Sequence, residues 1–486
     1  MSTDTLDSPR HVAVIGAGLV GSLASIYFAK RGWKVYLFDK RSDPRVAENA
    51  DKQESRSINL ALSARGILSL ECLKIGIEKE ILSYAIPMKG RMIHSLDGAQ
   101  TSQAYSINGE CINSVERSRL NNSLLNAAEK MPNVEICFNH SLQKCDMDSG
   151  NLEFVERHSD KQWHVDFIVG ADGAYSTVRK QLMRKVRMNY NQEYIEHEYC
   201  ELTIPPTVDA DGELSFAMDP NHLHIWPKHS FMMIALPNPD KTFTATLFMP
   251  SEKFASIKTE EDLLSFFKEN FPDSIPLIGE ELLKKDYFAN PKGSLMCVKC
   301  APYHYKGKGL IIGDAAHSMV PFYGQGMNCG FEDVRVLNNI LNEHSIGSHF
   351  TEEAMEKALS HYSNYRHPDC VAIIDLAMYN YIEMRSSVVN YGYLLRKKVE
   401  SFLHGLFPLK VIPLYTMVSF SPHIRYSEAI QRWRYQGKML TIASSALICG
   451  TAAALALGLL RNRDHISQIL RYTQGLVASM ARKIQA

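Results

Sequence analysis

Three glycines near the N-terminus, Gly16, Gly18 and Gly21, have the spacing of a loop that binds the pyrophosphate of a dinucleotide. In such a loop the first glycine permits a tight turn, the second lets the backbone approach the phosphates, and the third lets the following helix pack closely. The N–H groups that begin this helix face the anionic phosphates. Asp39, at the end of the next apolar segment, can accept hydrogen bonds from ribose hydroxyls. The pattern therefore predicts nucleotide binding.

Two later stretches of glycine and aspartate distinguish FAD from NAD as the nucleotide. Asp172 lies in GADGAYSTVR, and Asp314 lies in GDAAH, just before the glycine-rich stretch GQGMNCG at 324–330. A carboxylate at the end of a strand, as at Asp314, can accept hydrogen bonds from a polyol chain, and nearby glycines let the backbone approach a flat ring. Either stretch alone is typical of an ordinary turn. Their order along the chain, each after an apolar strand, favours FAD.

Other residues that could do chemistry are interpreted as structural. Cys297 and Cys300 form a CxxC pair without a second pair, at a spacing that fits a strand, so we predict neither a zinc site nor disulfide exchange. His222 and His224 would share one side of a strand, but no cysteine or carboxylate motif accompanies them, and no metal site is predicted. His317 is interpreted as a packing or hydrogen-bonding residue.

The elements that must position these residues alternate between strands and helices. A strand at His11–Ile15, a helix at Ser22–Lys30 and a strand at Lys34–Phe38 enclose the first glycine loop, which is the arrangement of a Rossmann-like unit. The later predicted elements are a helix at 117–131, a strand at Val165–Gly170, a strand-rich antiparallel region from about 195 to 250, a strand at Gly309–Ile312 and mainly helical structure over 330–400.

These elements predict an α/β fold. It comprises a Rossmann-like FAD-binding domain, a substrate domain built on an antiparallel sheet, and a helical C-terminal region that ends in one transmembrane helix. The expected boundaries are 1–195 together with 296–345 for the FAD-binding domain, 196–295 for the substrate domain, 346–436 for the helical domain, 439–460 for the anchor and 461–486 for a basic tail.

The predicted anchor rests on length and charge. Residues 439–460 contain no charged side chain, and these 22 residues are enough to cross a bilayer core, which needs about 20. Basic residues flank both ends, which favours a single C-terminal span with the rest of the chain in the cytosol. A buried, alanine-rich helix is the alternative. Residues 401–420 are also apolar, but Lys410, His404 and two prolines argue against a second span.

The composition is that of a globular protein, with 486 residues of which 45% are hydrophobic and 22% charged. The 53 basic and 53 acidic residues cancel, which excludes a surface that coats nucleic acid. The first ten residues lack the apolar segment of a secretory signal, and the ten cysteines show no regular framework. We therefore expect a reducing compartment with free thiols.

The three glycine–aspartate motifs resemble those of the single-Rossmann, FAD-dependent aromatic hydroxylases, also called class A flavoprotein monooxygenases. Within that class, the chain resembles the kynurenine 3-monooxygenase family, in its membrane-anchored eukaryotic form. The resemblance covers roughly residues 10–435. The stretches that carry it are RSINLALSARG (56–66), IPMKGRMIHS (86–95), LHIWP (223–227), FMMIALPN (231–238), GDAAHSMVPFYGQGMN (313–328), MYNYIEMR (378–385) and IPLYTMVSF (412–420).

The resemblance implies a tightly bound, non-covalent FAD. The residues implied around the cofactor are Gly16, Gly18, Val20, Gly21, Asp39, Arg41, Ala61, Arg117, Leu142, Asp172, Thr177, Asp314, Met327 and Asn328. Asp314 would bind the ribityl chain, and Met327 and Asn328 would lie where a helix N-terminus meets the flavin ring. Asp39 stands where many FAD enzymes have glutamate, so the charge is kept on a shorter arm.

The resemblance also implies L-kynurenine as the substrate. The implied contacts are Arg91, Tyr105, Asn380 and Tyr415, with Phe322 and apolar residues of the 223–236 strands around the aromatic ring. A planar guanidinium can bind the α-carboxylate through two parallel hydrogen bonds, which is a physical reason for Arg91. Without the resemblance, Arg91 would be interpreted as a surface salt bridge.

The chemistry implied by the resemblance is a hydroxylation. NADPH reduces FAD, O₂ forms a C4a-hydroperoxyflavin, and one oxygen is transferred to the ring carbon beside the amine, which gives 3-hydroxykynurenine in tryptophan degradation, on the route toward NAD. The amine activates the ring, so no catalytic acid or base is proposed. No second Rossmann motif is present, which fits transient binding of NADPH. The implied location is the mitochondrial outer membrane, with the catalytic domain facing the cytosol.

Two other functions remain open at this point. One is a flavin-dependent hydroxylase of another aromatic acid, or a flavin-dependent reductase. The other is a protein that has the FAD-binding fold but no flavin chemistry, like the escorts of prenylated GTPases. The complete stretch from Asp314 to the GQGMN sequence argues against the second.

Overall fold

The computed structural model describes residues 10–46, 59–155, 163–386, 391–461 and 473–474. They form two compact units, one up to Ala429 and the other from Ile430 onward. The predicted basic tail at 461–486 lies almost entirely outside the described residues, as do residues 56–58 at the start of RSINLALSARG.

The first part of the chain alternates short strands with helices. Its elements are β1 His11–Ile15, α1 Leu19–Lys30, β2 Lys34–Phe38, β3 Leu60–Leu62, α2 Ala64–Glu71, α3 Ile77–Tyr84, β4 Ile86–Met88, β5 Gly90–His94, β6 Gln100–Ala104, β7 Ile112–Val115, α4 Arg117–Glu129, β8 Val134–Cys137, β9 Ser141–Asp146, β10 Asn151–Val155, β11 Trp163–His164, β12 Phe167–Gly170 and α5 Thr177–Leu182.

The second part is first strand-rich and then helical, as the sequence predicts. Its elements are β13 Asn189–Ile204, β14 Thr207–Val208, β15 Leu214–Ser215, β16 His222–Lys228, β17 Phe231–Pro237, β18 Phe243–Pro250, α6 Ser251–Ser256, α7 Glu260–Asn270, α8 Ile275–Ile278, α9 Glu280–Ala289, β19 Gly293–Ala301, β20 His304–Tyr305, β21 Gly309–Ile311, α10 Asp314–His317, α11 Gly326–Glu343, α12 Glu352–Arg385, α13 Tyr391–Leu406, α14 Leu414–Ser419 and α15 Tyr426–Arg461.

A six-stranded sheet places the three glycine–aspartate motifs side by side. Its order is β20-β21-β12-β1-β2-β8, and all pairs are parallel except β20 with β21. Residues of β1 are almost wholly buried, because helices cover both faces of a parallel sheet. The carboxyl ends of β1, β2, β12 and β21 meet at one edge, which is where ligands bind in open α/β folds.

A seven-stranded sheet forms the wall opposite that edge. Its order is β19-β13-β18-β17-β16-β5-β6, and its pairs are antiparallel except β16 with β5. The predicted antiparallel region at 195–250 supplies β13 and β16 to β18. Strands β5 and β6, from residues 90–104, extend this sheet and place Arg91 on it.

The two sheets and the helices around them confirm the predicted α/β class. Residues up to Ala429 form one compact unit, and within it the division into FAD-binding, substrate and helical domains stays a prediction. We propose to keep those boundaries, with the addition that β5 and β6 belong structurally to the substrate sheet.

Buried ion pairs tie the helices to this framework. Arg65 on α2 is fully buried and lies 2.9 Å from Glu332 on α11, and it also donates to the carbonyl oxygens of Met417 and Val418 on α14. Arg366 on α12 lies 2.8 Å from the same Glu332. A helix leaves its last carbonyl groups without partners, so Arg65 both neutralises a buried charge and completes the end of α14.

The second unit begins within helix α15. The stretch Tyr426–Gly458 is long and apolar enough to span a membrane, and none of its most apolar window is buried. The predicted anchor at 439–460 therefore lies on a helix of suitable length and composition.

Candidate active site

The first glycine loop has the geometry that its spacing predicts. Gly16 has a φ of +105°, and a Cβ atom on Gly21 would stand 1.8 Å from the carbonyl oxygen of Gly16. A Cβ on Gly18 would meet no atom within 4 Å, because this residue faces the cavity. Helix α1 follows directly, and no side chain caps its N-terminus. Its first N–H groups are therefore free to bind phosphate.

Val20 joins the first motif to the third. Its side chain packs against Gly313 and Gly330, and a Cβ on Gly330 would stand 2.5 Å from Val20 Cγ2. Gly313 also donates from its backbone N–H to Asp333 at 3.0 Å. The absence of side chains at Gly313 and Gly330 thus allows α1, α10 and α11 to meet.

The Asp39 carboxylate makes more hydrogen bonds within the protein than the sequence suggests. Its carboxylate accepts hydrogen bonds from the backbone N–H of Ala17 at 2.9 Å and from the guanidinium of Arg41 at 2.8 and 2.9 Å. Burial acts to raise the pKa of Asp39, but the bonds and charge of Arg41 outweigh it and lower the pKa. Asp39 therefore holds the glycine loop in place while it lines the cavity.

Asp172 and Thr177 lie at the start of α5. The Asp172 carboxylate accepts from the backbone N–H of Thr177 at 2.6 Å and of Val178 at 3.1 Å, and from the Ser176 hydroxyl at 2.5 Å. Burial raises the pKa of Asp172. This carboxylate fixes the turn after β12, and both residues line the cavity.

Asp314 and Arg117 present charged groups to the cavity. The carboxylate of Asp314 is exposed to the cavity and has no hydrogen-bond or ion-pair partner among the described residues. Arg117 begins α4 and lines the same space. The unpaired Asp314 carboxylate suits the hydroxyls of a polyol, and the Arg117 guanidinium, which also attracts the Glu201 carboxylate, suits a phosphate. This donor and acceptor set fits FAD.

Asn328 braces the site without facing the cavity. Its Oδ1 accepts from the backbone N–H of Ser63 at 2.9 Å, and its Nδ2 donates to the carbonyl oxygens of Ala61 and Gly324, both at 2.8 Å. Its side chain is completely buried. Asn328 thus fixes β3 against the glycine-rich turn before α11, whose N-terminus has no side-chain cap.

One cavity of about 970 Å³ connects the predicted cofactor and substrate residues. Gly21 and Asn328 are the predicted residues that do not line it. Those that do are Gly16, Gly18, Val20, Asp39, Arg41, Ala61, Arg117, Leu142, Asp172, Thr177, Asp314 and Met327 on the cofactor side, and Arg91, Tyr105, Phe322, Asn380 and Tyr415 on the substrate side.

Arg91 is buried at the substrate end of this cavity and is only 3% exposed. Its guanidinium lies 2.7 Å from the Glu383 carboxylate and donates to Asn380 Oδ1 at 3.3 Å. Arg91 Nε and the Tyr105 hydroxyl are buried without a hydrogen-bond partner among the described residues. Unpaired buried polar atoms are costly, so this pair is suited to an anionic ligand.

Aromatic rings enclose the same end of the cavity. Tyr105 and Tyr415 stack with ring centroids 4.7 Å apart, and Tyr323 stacks on the other side of Tyr415 at 5.7 Å. Phe322 stacks on Tyr381 at 3.9 Å, and its carbonyl oxygen accepts from Asn380 Nδ2 at 2.7 Å. The stacks fix these rings as flat walls for an aromatic ligand.

Glu383 is a site residue that the sequence reasoning missed. It pairs with Arg91 and lies 3.4 Å from Lys397 on α13. Burial acts to raise its pKa, but the charges of Lys397 and Arg91 outweigh it and lower the pKa of Glu383 to about 2. Glu383 follows Asn380 by one helical turn in MYNYIEMR, so a helical interpretation of that stretch would have placed both on one face.

A buried cluster behind the third motif is compensated within the protein. His317, Cys329, Asp333 and Cys370 offer polar atoms within 4.8 Å of one another. His317 pairs with Asp333, and the Arg366 guanidinium donates to both Asp333 and Cys329. Since a cation would have to displace this guanidinium, we interpret the cluster as a brace behind Gly313.

Comparisons with known proteins agree with this geometry. A family model described as "FAD binding domain" matches residues 10–377. The kynurenine 3-monooxygenase of Candida albicans is 47% identical over 454 residues, which cover 93% of this chain and 97% of that protein. That of Sus scrofa is 47% identical over 455 residues, which cover 93% and 92%. A crystal structure of a variant of 2-methyl-3-hydroxypyridine-5-carboxylic acid oxygenase has the same fold, with a TM-score of 0.62, 21% identity, and coverage of 78% of this chain and 94% of that one.

Proposed function

Since the chain belongs to the kynurenine 3-monooxygenase family of FAD-dependent monooxygenases, we propose that it hydroxylates L-kynurenine to 3-hydroxykynurenine with NADPH and O₂. The observation that carries the proposal is the buried guanidinium of Arg91. It lies in a cavity lined by aromatic rings that is continuous with the three glycine–aspartate motifs. The positive charge of Arg91 and the flat aromatic walls are suited to a charged α-amino acid with an aromatic ring.

The cofactor end of the cavity would hold FAD through the backbone and three charged groups. Gly18 and the N-terminus of α1 would face the pyrophosphate, and Asp314 would accept from the ribityl hydroxyls. Arg41, whose charge is paired with Asp39, and Arg117 would supply N–H donors on the nucleotide side. FAD, when bound, supplies the redox chemistry by which O₂ is activated.

The substrate end would hold kynurenine by its carboxylate. Arg91 and Lys397 carry two positive charges against the single negative charge of Glu383, so the group has a net charge of the sign needed to bind an anion. Arg91 Nε and the Tyr105 hydroxyl would donate to the substrate carboxylate. Asn380 holds the guanidinium from the side and thereby sets its direction.

The aromatic walls would then orient the ring and exclude water. Phe322 and Phe248 lie 5.0 Å apart edge to face, and Leu223, Ile234 and Leu236 add apolar surface from the β16 and β17 strands. The amine of the substrate activates the aromatic ring to which it is attached. The protein therefore needs only to position this ring and to exclude water. We accordingly propose no catalytic acid or base.

The most informative experiment is to purify the protein and assay it with NADPH and kynurenine. The purified protein should be yellow, and NADPH consumption should rise when kynurenine is added. Mass spectrometry should find a product one oxygen atom heavier than kynurenine. A colourless protein that does not take up FAD would overturn the proposal. Faster NADPH consumption with a different aromatic acid, without hydroxylated kynurenine, would indicate the related hydroxylase instead.

We propose further that α15 anchors the protein in the mitochondrial outer membrane, with the catalytic unit in the cytosol. The apolar stretch at 439–460 and its basic flanks support an anchor, and the compartment rests on the family. Imaging of the tagged full chain beside markers of the outer mitochondrial membrane and of the endoplasmic reticulum would test the compartment.

Ending the chain after residue 435 should let alkaline carbonate extract the protein from membranes, whereas the full chain should resist extraction. The reason is that the truncated chain lacks the segment whose apolar length matches a bilayer core. A full-length control with Leu447→Arg and Leu455→Arg should behave like the truncated chain, because charges are costly at the bilayer centre. Resistance of the truncated chain to extraction would contradict α15 as its only membrane-spanning segment.

A further inference from the structure

Helix α13 turns an apolar stripe away from the protein. Leu395, Val399, Phe402 and Leu406 are 65%, 43%, 67% and 56% exposed. Their spacing of four, three and four residues places them on one face of the helix. In a soluble protein a stripe with this spacing normally faces the core.

The opposite face of α13 is polar and lies against the protein. Lys397 is 3.4 Å from the Glu383 carboxylate on α12, and His404 Nδ1 is 2.7 Å from the carbonyl oxygen of Val411. His404 is only 6% exposed. The helix is therefore inverted, with its polar groups turned inward and its hydrocarbon turned outward.

The apolar surface continues beyond the helix. Phe407 and Leu409 are 52% and 89% exposed. Ile107, in the loop between β6 and β7, is 57% exposed, and its Cδ1 atom lies 3.8 Å from where a Cβ on Gly405 would stand. We call this surface the apolar ridge, and its residues are Leu395, Val399, Phe402, Leu406, Phe407, Leu409 and Ile107. An exposed patch of this extent in one place marks an interaction site.

Basic side chains border the apolar ridge. Arg396 and Lys398 fall on either side of the stripe by their helical positions, and Lys410 follows it; all three are exposed, and Arg396 also pairs with Glu400 at 2.8 Å. Long basic side chains beside an apolar helix face can extend to the anionic headgroups of a lipid surface while the apolar side chains enter the acyl region. A protein partner has no such general need for bases at the margin of the stripe.

We propose that α13 is an interfacial helix. Its apolar ridge lies in the headgroup region of a bilayer that contains anionic lipid. The occupant is the lipid surface because the ridge is bordered by bases and because a stretch long and apolar enough to span a membrane begins at Tyr426 in the same chain; the inference rests on the proposed anchor in α15. The catalytic unit thus has a second attachment to the membrane, made by its own surface. Through Lys397, the same helix contacts the Glu383–Arg91 pair from its inner face.

A photo-crosslinking experiment on the full-length holoenzyme tests this assignment. Phe402→benzoylphenylalanine would be reconstituted in vesicles of phosphatidylcholine and phosphatidylserine and irradiated. We expect lipid adducts on the peptide that contains position 402. Leu214→benzoylphenylalanine is the matched control, since Leu214 is a similarly exposed apolar residue at 53%, and it should give no lipid adduct. Crosslinks at 402 to a second copy of the chain, or no lipid adduct there, would overturn the proposal.

A second variant tests whether the apolar ridge enters the lipid or only lies near the membrane. In the chain labelled at position 402, Leu395→Glu with Leu406→Glu should lower the yield of lipid adducts about tenfold, because both carboxylates would have to leave water. Val208→Glu, at a position 61% exposed, should leave the yield unchanged. Retained flavin absorbance would show that each variant is folded. An unchanged yield in the double variant would mean that the ridge does not enter the lipid.

Discussion

Arg91→Ala should raise the KM for kynurenine by about a hundredfold, which corresponds to about 3 kcal/mol of lost binding. The guanidinium is buried, and its charge-assisted hydrogen bond from Nε to the substrate carboxylate is worth about 1.5–3 kcal/mol. Without it, Glu383 would face the substrate carboxylate directly, with Lys397 as its remaining ion-pair partner. Steady-state NADPH consumption across a range of kynurenine concentrations measures the effect.

The matched control for this prediction is Arg91→Lys. It keeps the charge but loses the planar fork and the bond to Asn380, so it should recover only part of the affinity. Flavin absorbance per protein should stay at the wild-type level in both variants, because Arg91 lies at the substrate end of the cavity. A wild-type KM in the alanine variant would remove Arg91 from the site.

Gly18→Ala should weaken FAD binding about tenfold to a hundredfold while the protein stays folded, because one methyl group forced into a closely packed contact costs about 1–3 kcal/mol. Gly18 has a φ of −79°, which alanine adopts without strain, and its Cβ would meet no protein atom within 4 Å. The added methyl group therefore stands only where the pyrophosphate would bind. Flavin absorbance after gel filtration, compared with a thermal melt of the apoprotein, measures the two effects separately.

Gly21→Ala is the variant to compare with Gly18→Ala, and we expect it to affect folding and not only FAD binding. Its Cβ would stand 1.8 Å from the Gly16 carbonyl oxygen, so α1 could not pack against the turn after β1. We expect loss of the folded protein rather than loss of the flavin alone. If both variants melt like the wild type and bind FAD equally well, the glycine loop is not the pyrophosphate site.

The sequence predicted most reliably the features that depend on neighbouring residues. The bounds of β1 and β2 were predicted to the residue, and the tight turn at Gly16 and the close packing at Gly21 match the structure, whereas the role of Gly18 at the pyrophosphate stays a prediction. Helix α1 begins three residues earlier than predicted, at Leu19, because the glycine turn passes directly into the helix. Local patterns fix local structure, and parallel strands then bring their carboxyl ends together.

The sequence could not reveal which polar side chains form hydrogen bonds or ion pairs within the protein. Asp39 accepts from Arg41 and Ala17, and Asn328 bonds to Ser63, which is far from it in the chain. Glu383 was missed because its role depends on Arg91, on a strand nearly three hundred residues earlier. Such pairs are set by tertiary packing, and neither periodicity nor composition carries a signal of them.

The contact of Val20 with two distant glycines also bears on how this protein can change over generations. A methyl group at position 330 would stand 2.5 Å from the Val20 side chain, so enlargement at one position demands reduction at the other. The side-chain sizes at positions 20, 313 and 330 therefore constrain one another during evolution, although these positions lie far apart in the sequence. A larger residue at position 330 would therefore require a smaller residue at position 20 in the same protein.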